Sequence, residues 1–169
     1  QSILKFGRQS EPVVEDIALQ KYIPEVTHMV EKKAAVQGIV LTQEVSEDTP
    51  PVHGDRGQLQ QVLLNLYNNA FDAITARHGA QGGTLVVGAR AKEDGRVEIF
   101  VRDNGSGISP EDRKKIFSPF FTTKPVGKGT GLGLSVCYGI ISKMGGIMEV
   151  DSKKGVGTTF NVILPAAKQ

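Results

Sequence analysis

Two strand patterns joined by four residues restrict the fold of this chain more than any other feature. Residues 84–91 (TLVVGARA) and 96–103 (RVEIFVRD) are rich in β-branched and apolar residues, and the link KEDG contains a glycine. A link this short joins antiparallel strands, because parallel neighbours need a crossover of a dozen or more residues. Residues 146–152 and 157–165 predict a second hairpin in the same way. An all-parallel sheet is therefore excluded.

Helical patterns alternate with these strands. Apolar residues recur at three- and four-residue spacings over residues 58–77, which predicts the longest helix of the chain. Ser109 followed by Pro110 is typical of a helix start. The same criteria predict helices at 23–36 and 132–144, strands at 16–20 and 38–45, and a turn at 48–55. The fold class that follows is α+β, a two-layer α/β sandwich whose mixed, mostly antiparallel sheet is covered on one face by helices.

The composition of the 169 residues is that of one ordinary globular domain, with 39% hydrophobic and 22% charged residues. A net charge of +2 without any long block of like charges argues against nucleic-acid binding. No apolar run approaches the roughly 18 residues that cross a bilayer, so direct membrane insertion is not expected. The lone Cys137 predicts a buried thiol in a reducing, cytoplasmic setting. We expect a linker or tail at 1–15 and one domain at 16–169.

Residues 127–136, GKGTGLGLSV, place four glycines in seven positions just before a predicted helix. The spacing fits neither the dinucleotide fingerprint G-x-G-x-x-G nor the phosphate loop G-x-x-x-x-G-K-[ST] in any register. Free N–H groups at a helix start nevertheless attract anions, and glycines let phosphate oxygens approach them. A flexible surface loop and a phosphate-binding loop both remain open at this point.

Two further segments carry polar residues where a ligand could bind. Asn65 and Asn69 lie four apart on one face of the longest predicted helix, with Asp72 three residues beyond. A carboxamide oxygen can ligate Mg²⁺ without adding charge, and the alternative is a satisfied polar helix face. Asp103 ends a strand before Gly105 and Gly107, where a carboxylate can accept a hydrogen bond from an exocyclic amine. The alternative there is an ordinary Asp-Asn-Gly turn.

The segment 117–130 has no periodicity and is longer than about 12 residues, a length typical of lids and binding loops. Its lysines could meet phosphates, whereas its phenylalanines could instead close the edge of the core. Both interpretations are consistent with the sequence.

Together these segments resemble the catalytic, ATP-binding domain of sensor histidine kinases, in the superfamily shared with gyrase, MutL and the heat-shock chaperone ATPases. The resemblance covers residues 16–165, and five motifs occur in the family's order. QLQQVLLNLYNNAFDAI resembles the Asn-bearing helix, DNGSGI the first glycine box and IFSPFFTTK the phenylalanine box. GTGLGLSV and GVGTTF resemble the second and third glycine boxes. The resemblance implies a long ATP lid, and a tail at 1–15 that follows a dimerisation helix.

The resemblance also assigns roles, with ATP and Mg²⁺ as cofactors. Asn69 is the implied principal Mg²⁺ ligand, and Asn65 contacts the metal or its phosphates. Asp103 accepts the adenine amino group, helped through water by Thr158. Asp72 is a further candidate, standing where many members have a lysine. The remaining implied nucleotide-binding residues are Gly105, Gly107, Ile108, Phe121, Thr122, Thr123, Lys124, Gly129, Thr130, Gly131, Leu132, Gly133 and Leu134.

The phosphoacceptor histidine of such kinases has no counterpart here, because His28, His53 and His78 lack its flanking residues. No catalytic residue is therefore assigned to this chain. The implied function is to bind Mg-ATP and donate the γ-phosphate to a histidine in a separate dimerisation domain. The implied context is a homodimeric kinase with a response regulator partner, within a parent protein that can be membrane-anchored. The alternatives are a noncatalytic nucleotide-binding or docking module and a self-contained ATPase, in which a glutamate would replace Asn65.

Overall fold

The protein is described by a computed structural model that covers residues 13–79, 82–117 and 133–167. In chain order its elements are β1 (Val14–Ile17), α1 (Leu19–His28), α2 (Glu31–Val36), β2 (Ile39–Val45), β3 (Val52–Asp55), α3 (Arg56–His78), β4 (Gly83–Ala91), β5 (Arg96–Asp103), α4 (Pro110–Arg113), α5 (Gly133–Lys143), β6 (Ile147–Lys153) and β7 (Gly157–Pro165).

The main sheet has five strands in the order β2-β4-β5-β7-β6. The β2–β4 pair is parallel and the other three pairs are antiparallel, so the predicted mixed, mostly antiparallel sheet is confirmed. Both predicted hairpins are present, as β4–β5 and β6–β7. β1 and β3 form a separate antiparallel pair. The register aligns Leu85 with Asp103 and Asp103 with Thr158, which places these side chains on one face of the sheet.

Helices α1, α3 and α5 pack on that face and enclose the core. α3 contributes the largest buried surface, and burial of each large apolar side chain stabilises the fold by about 1.5–3 kcal/mol. Its fully buried side chains include Leu59, Leu63, Leu66, Tyr67, Phe71 and Ile74. The opposite face carries no helix among the described residues and is protected differently. There the Phe100 ring is covered by the guanidinium groups of Arg90 and Arg102, at 5.7 and 5.0 Å from its centroid.

The structure corrects the predicted boundaries in the first third of the chain. The strand expected at 16–20 ends at Ile17, and α1 begins at Leu19, which is fully buried. The single helix expected at 23–36 is two helices, because the backbone at Val30 leaves the helical region at φ −116° and ψ 1°. The two helices can therefore pack at different angles on the core.

The residues expected to form only a turn at 48–55 include strand β3, which starts directly after Pro50 and Pro51. Asp55 then caps α3, since its carboxylate accepts a hydrogen bond of 2.9 Å from the Gln58 N–H. That hydrogen bond is the main reason why the pKa of Asp55 is lowered. Among the described residues, none of the helices is long and apolar enough to span a bilayer.

Candidate functional site

Asp103 lies at the end of β5 with only 7% of its surface exposed. Its Oδ1 accepts a hydrogen bond of 2.8 Å from the Gly105 N–H. Burial raises the pKa of Asp103 from 3.8 to about 6, and the backbone N–H groups of Gly105 and Thr158 oppose the rise. At neutral pH the group is therefore an ionised acceptor held at the edge of the core.

The loop after Asp103 lies against α3, and its glycines make that approach possible. A Cβ atom at Gly105 would stand 2.5 Å from the backbone carbon of Ala73, and the Ser106 N–H donates to the Ala73 carbonyl at 2.9 Å. Gly107 has φ +74°, and a Cβ there would collide with the Lys153 carbonyl. The first glycine box therefore fits between α3 and the β6–β7 turn only because positions 105 and 107 carry no side chain.

Ser152 links the other residues expected near the base. Its Oγ accepts a hydrogen bond of 2.8 Å from the Ile108 N–H and lies 2.8 Å from the Thr158 Oγ1. It also donates to the Gly157 carbonyl at 3.1 Å. Thr158 is 4% exposed, so its hydroxyl is held at the same edge of the core as Asp103. Sequence reasoning assigned Ile108 and Thr158 to the site and missed Ser152.

Arg77 is a second residue that sequence reasoning missed. Its Nη1 donates to the carbonyls of Asn104 at 3.0 Å and Val156 at 2.7 Å. His78 Nε2 lies 2.9 Å from the same Asn104 carbonyl. The last turn of α3 thus fixes the two loops that border Asp103 and Thr158. Near a helix end an arginine is commonly placed to complement the helix dipole, so the sequence held no distinct signal for this contact.

The asparagine face of α3 lies beside the first turn of α5. Asn65 Nδ2 donates to the Cys137 Sγ at 3.5 Å, and a Cβ at Gly133 would lie 3.7 Å from the Asn65 Oδ1. The carboxamide oxygen of Asn65 therefore faces the start of α5, while its nitrogen is held by the thiol. Cys137 is buried, as expected, and burial raises its pKa to about 11. Asn69 is half-buried on the same helix face.

The donor set on this face fits Mg²⁺. Within the described ranges, no three His, Cys, Asp or Glu side chains come together as a metal cluster. The oxygen-bearing side chains of this face are Asn65 and Asn69, with the exposed Asp72 one turn further along. Mg²⁺ prefers oxygen ligands, keeps several waters and often takes only one or two protein ligands beside substrate phosphates. A site of this composition is therefore suited to a metal that arrives with a phosphate ligand.

The remaining expected residues divide into two groups. Gly133 opens α5, and Leu134 is half-buried and packs against the core rather than facing open solvent. The lid residues and the first four residues of the second glycine box lie outside the described residues, namely Phe121, Thr122, Thr123, Lys124, Gly129, Thr130, Gly131 and Leu132.

The two halves of the site lie along α3. Gly133 and Cys137 approach Asn65, whereas the loop after Asp103 meets Ala73, eight residues further on. At a rise of about 1.5 Å per residue this separation is about 12 Å. A ligand with an amine-bearing ring at one end and phosphates at the other could occupy both halves at once.

A cleft of about 460 Å³ opens on the helix-free face. Its lining includes Val86, Arg102, Asp151 and Thr159, which alternate with the site residues along their strands. Asp103, Ser152 and Thr158 also line it, so the cleft adjoins the candidate site.

Replacing Gly105 with alanine is expected to lower the free energy of unfolding by about 1–3 kcal/mol, because the added Cβ overlaps the Ala73 backbone. Gly139→Ala is the matched control. Apart from its own helical turn, no heavy atom of the described residues lies within 4 Å of a Cβ at that position. That control should gain about 0.5–1 kcal/mol from helix propensity. Urea denaturation of both variants measures the difference, and equal effects would contradict the close packing of the Gly105 loop.

Comparison with known proteins agrees with this geometry. Residues 54–168 match the family described as histidine kinase-, DNA gyrase B-, and HSP90-like ATPase. The sensor kinase CckA of Brucella abortus is 38% identical over 177 residues, covering 96% of this chain and 18% of that protein. The histidine-protein kinase AtoS of Escherichia coli is 36% identical over 169 residues, covering 100% of this chain and 27% of that protein.

Solved structures give the same result. The catalytic domain of histidine kinase ThkA superposes with a TM-score of 0.79 at 32% identity, covering 92% of this chain and 99% of that one. Full-length ShkA in complex with AMPPNP superposes with a TM-score of 0.81 at 30% identity, covering 94% of this chain and 32% of that one. The chain spans well under half the length of the two kinases from Brucella abortus and Escherichia coli. It belongs to the histidine kinase-, DNA gyrase B- and HSP90-like ATPase family, and within it to the catalytic domains of sensor histidine kinases.

Proposed function

We propose that this chain binds ATP together with Mg²⁺ and presents the γ-phosphate to a histidine in a separate dimerisation domain. The observation that carries the proposal is the buried, ionised Asp103, whose loop meets α3 at Ala73, about 12 Å along the helix from Asn65. A carboxylate suits the adenine amino group, and carboxamide oxygens suit a phosphate-bound metal. The ShkA relative was solved with the ATP analogue AMPPNP, which supports ATP as the ligand.

Each part of the site has a separate task in this proposal. Asp103 accepts a hydrogen bond from the adenine amine, and the close loop at Gly105 and Gly107 shapes the base pocket. Asn65 and Asn69 would contact the Mg²⁺ that accompanies the triphosphate. The N–H groups at the start of α5 would face the phosphate oxygens. Mg²⁺, when bound there, neutralises phosphate charge and so favours phosphoryl transfer. Lys124 and the other lid residues would cover the triphosphate.

The accepting histidine belongs to another part of the kinase in this proposal. The histidines of this chain are engaged locally, His28 with Glu31 at 2.7 Å and His53 with Asp16 at 2.8 Å. His78 forms a hydrogen bond with the Asn104 carbonyl. Residues 1–15 would then lead from the dimerisation helix into β1, which begins at Val14, with the ATP-binding domain at 16–169.

The wider context is also part of the proposal. A relative of 30% identity, ThkA, was solved in complex with a response regulator protein, TrrA. By analogy this chain would act within a homodimeric kinase that passes its phosphate to a response regulator, with a cytoplasmic catalytic domain and a parent protein that can be membrane-anchored.

Titration of the full chain with ATP, with and without Mg²⁺, tests the proposal directly. Saturable, metal-dependent binding is expected for the wild type. Asn69→Ala should weaken binding at least about 10-fold in the presence of Mg²⁺ and much less in its absence, because the proposed contact is made to the metal. Asn68→Ala is the control, since the Asn68 carboxamide contacts Lys33 at 2.9 Å instead.

Three outcomes would contradict the proposal in different ways. ATP binding with the same affinity in the presence and absence of Mg²⁺ would contradict the proposed role of Asn69 as a metal ligand. Absence of ATP binding would favour a docking module. Rapid hydrolysis of ATP by the isolated chain would favour a self-contained ATPase, although asparagine at position 65 cannot take a proton from water.

A further inference from the structure

Ser152 occupies the centre of a hydrogen-bond network beside Asp103. Its single hydroxyl contacts three groups that border the expected base pocket, and these belong to different segments of the chain. They are the Ile108 N–H at 2.8 Å, the Gly157 carbonyl at 3.1 Å and the Thr158 Oγ1 at 2.8 Å. Ser152 faces Thr158 across the β6–β7 pair, and Thr158 faces Asp103 across the β5–β7 pair. The three side chains therefore form one row across the sheet.

The direction of each hydrogen bond follows from counting protons. A serine hydroxyl has one proton and two lone pairs. The Gly157 carbonyl can only accept, so the Ser152 proton goes to it, and Ser152 Oγ accepts from Ile108 N–H. The remaining lone pair of Ser152 then accepts the proton of the Thr158 hydroxyl. Thr158 Oγ1 consequently offers only lone pairs to anything else that approaches it.

The same count applies to the neighbouring backbone donors. The N–H group of Gly105 is taken by the Asp103 carboxylate, and that of Ile108 is taken by Ser152. The row of Asp103 and Thr158 side chains thus presents acceptors and no donor. A group that itself only accepts hydrogen bonds, such as a ring carbonyl, would meet repelling lone pairs there.

We propose that Ser152 is a specificity-determining positioning residue, which orients the Thr158 hydroxyl so that the pocket selects a 6-amino purine over a 6-oxo purine. The inference rests on the proposed function, since it assumes that a purine nucleotide lies beside Asp103. Ser152 acts through Thr158 and through the Ile108 loop, and it need not touch the base. When serine is replaced by alanine, the Thr158 hydroxyl loses its acceptor and becomes free to donate to a 6-oxo group.

The test compares ATP with inosine triphosphate, which has an oxo group in place of the 6-amino group. Dissociation constants of the full chain for both nucleotides, with Mg²⁺, are measured by calorimetry for the wild type, Ser152→Ala and Ser152→Thr. The wild type should prefer ATP. Ser152→Ala should lower this preference about 10-fold, as expected for the change of one hydrogen bond. Ser152→Thr retains the hydroxyl and should retain the preference.

Two further variants separate specificity from general damage to the strand. Asp151→Ala changes the adjacent, exposed residue on the opposite face of β6, and it should leave the preference unchanged. Thr158→Val removes the hydroxyl itself, and it should lower the preference as Ser152→Ala does. If Ser152→Ala or Thr158→Val fails to fold, the other of these two variants still measures the change in preference.

The outcomes distinguish this inference from the proposed function. Equal weakening of both nucleotides by Ser152→Ala, in a chain that binds ATP, would overturn the specificity role and leave the proposed function intact. A preference that Ser152→Thr fails to restore would also overturn it. Failure of the wild-type chain to bind ATP would overturn the proposed function and this inference with it.

Discussion

Replacing Asp103 with asparagine is expected to lower ATP affinity by about 100-fold or more and to shift the preference toward inosine triphosphate. The asparagine oxygen keeps the hydrogen bond from the Gly105 N–H, which turns the new NH₂ group toward the base. That group then faces the adenine amine donor to donor. A charge-assisted hydrogen bond of about 1.5–3 kcal/mol is also lost. A 6-oxo group would accept from the new donor.

Calorimetric titration with both nucleotides measures the effect of this substitution. Asp151→Asn is the matched control, because it removes one carboxylate from an exposed position on β6, which β7 separates from β5. The control should bind ATP as the wild type does. Retention of wild-type ATP affinity by Asp103→Asn would place the base elsewhere, and a similar loss in the control would indicate an effect of net charge alone.

The main architecture could be predicted because its signals are local. The β4–β5 hairpin follows from a four-residue link, and α3 follows from apolar spacing within one continuous segment. The break between α1 and α2 could not be predicted this way. Met29 and Val30 continue the helical spacing, and the break becomes evident only from the backbone at Val30. Strand β3 was hidden by its two preceding prolines and exists through its pairing with β1.

Some residues of the candidate site could be proposed from the sequence and others could not. Asp103, Asn65 and Asn69 could be proposed from the sequence because they stand in motifs that resemble those of the family. Arg77 and Ser152 could not, because their roles depend on contacts between segments that are distant in sequence. Arg77 donates to a carbonyl 79 residues away, and Ser152 joins a loop 44 residues earlier. A serine in a strand and an arginine at a helix end are common enough to carry no specific signal.

The pKa of Asp103 predicts a stability cost that depends on pH. A pKa raised from 3.8 to about 6 means that the folded chain binds more protons than the unfolded chain between these two values. The free energy of unfolding that this group contributes therefore falls as pH rises from about 4 to about 6, and it stays low above that range. The total cost of the buried charge is up to about 3 kcal/mol at neutral pH.

Comparison with Asp103→Asn isolates this cost, because other titrating groups affect both proteins alike. At pH 7.5 the variant should be more stable than the wild type by up to about 3 kcal/mol, and the gap should close as the pH is lowered toward 4. Urea denaturation at several pH values measures it, and a gap that is constant or widens at low pH would contradict the assignment. The wild-type chain keeps a carboxylate that lowers its own stability, which is the expected result when a buried charge is retained to bind a ligand.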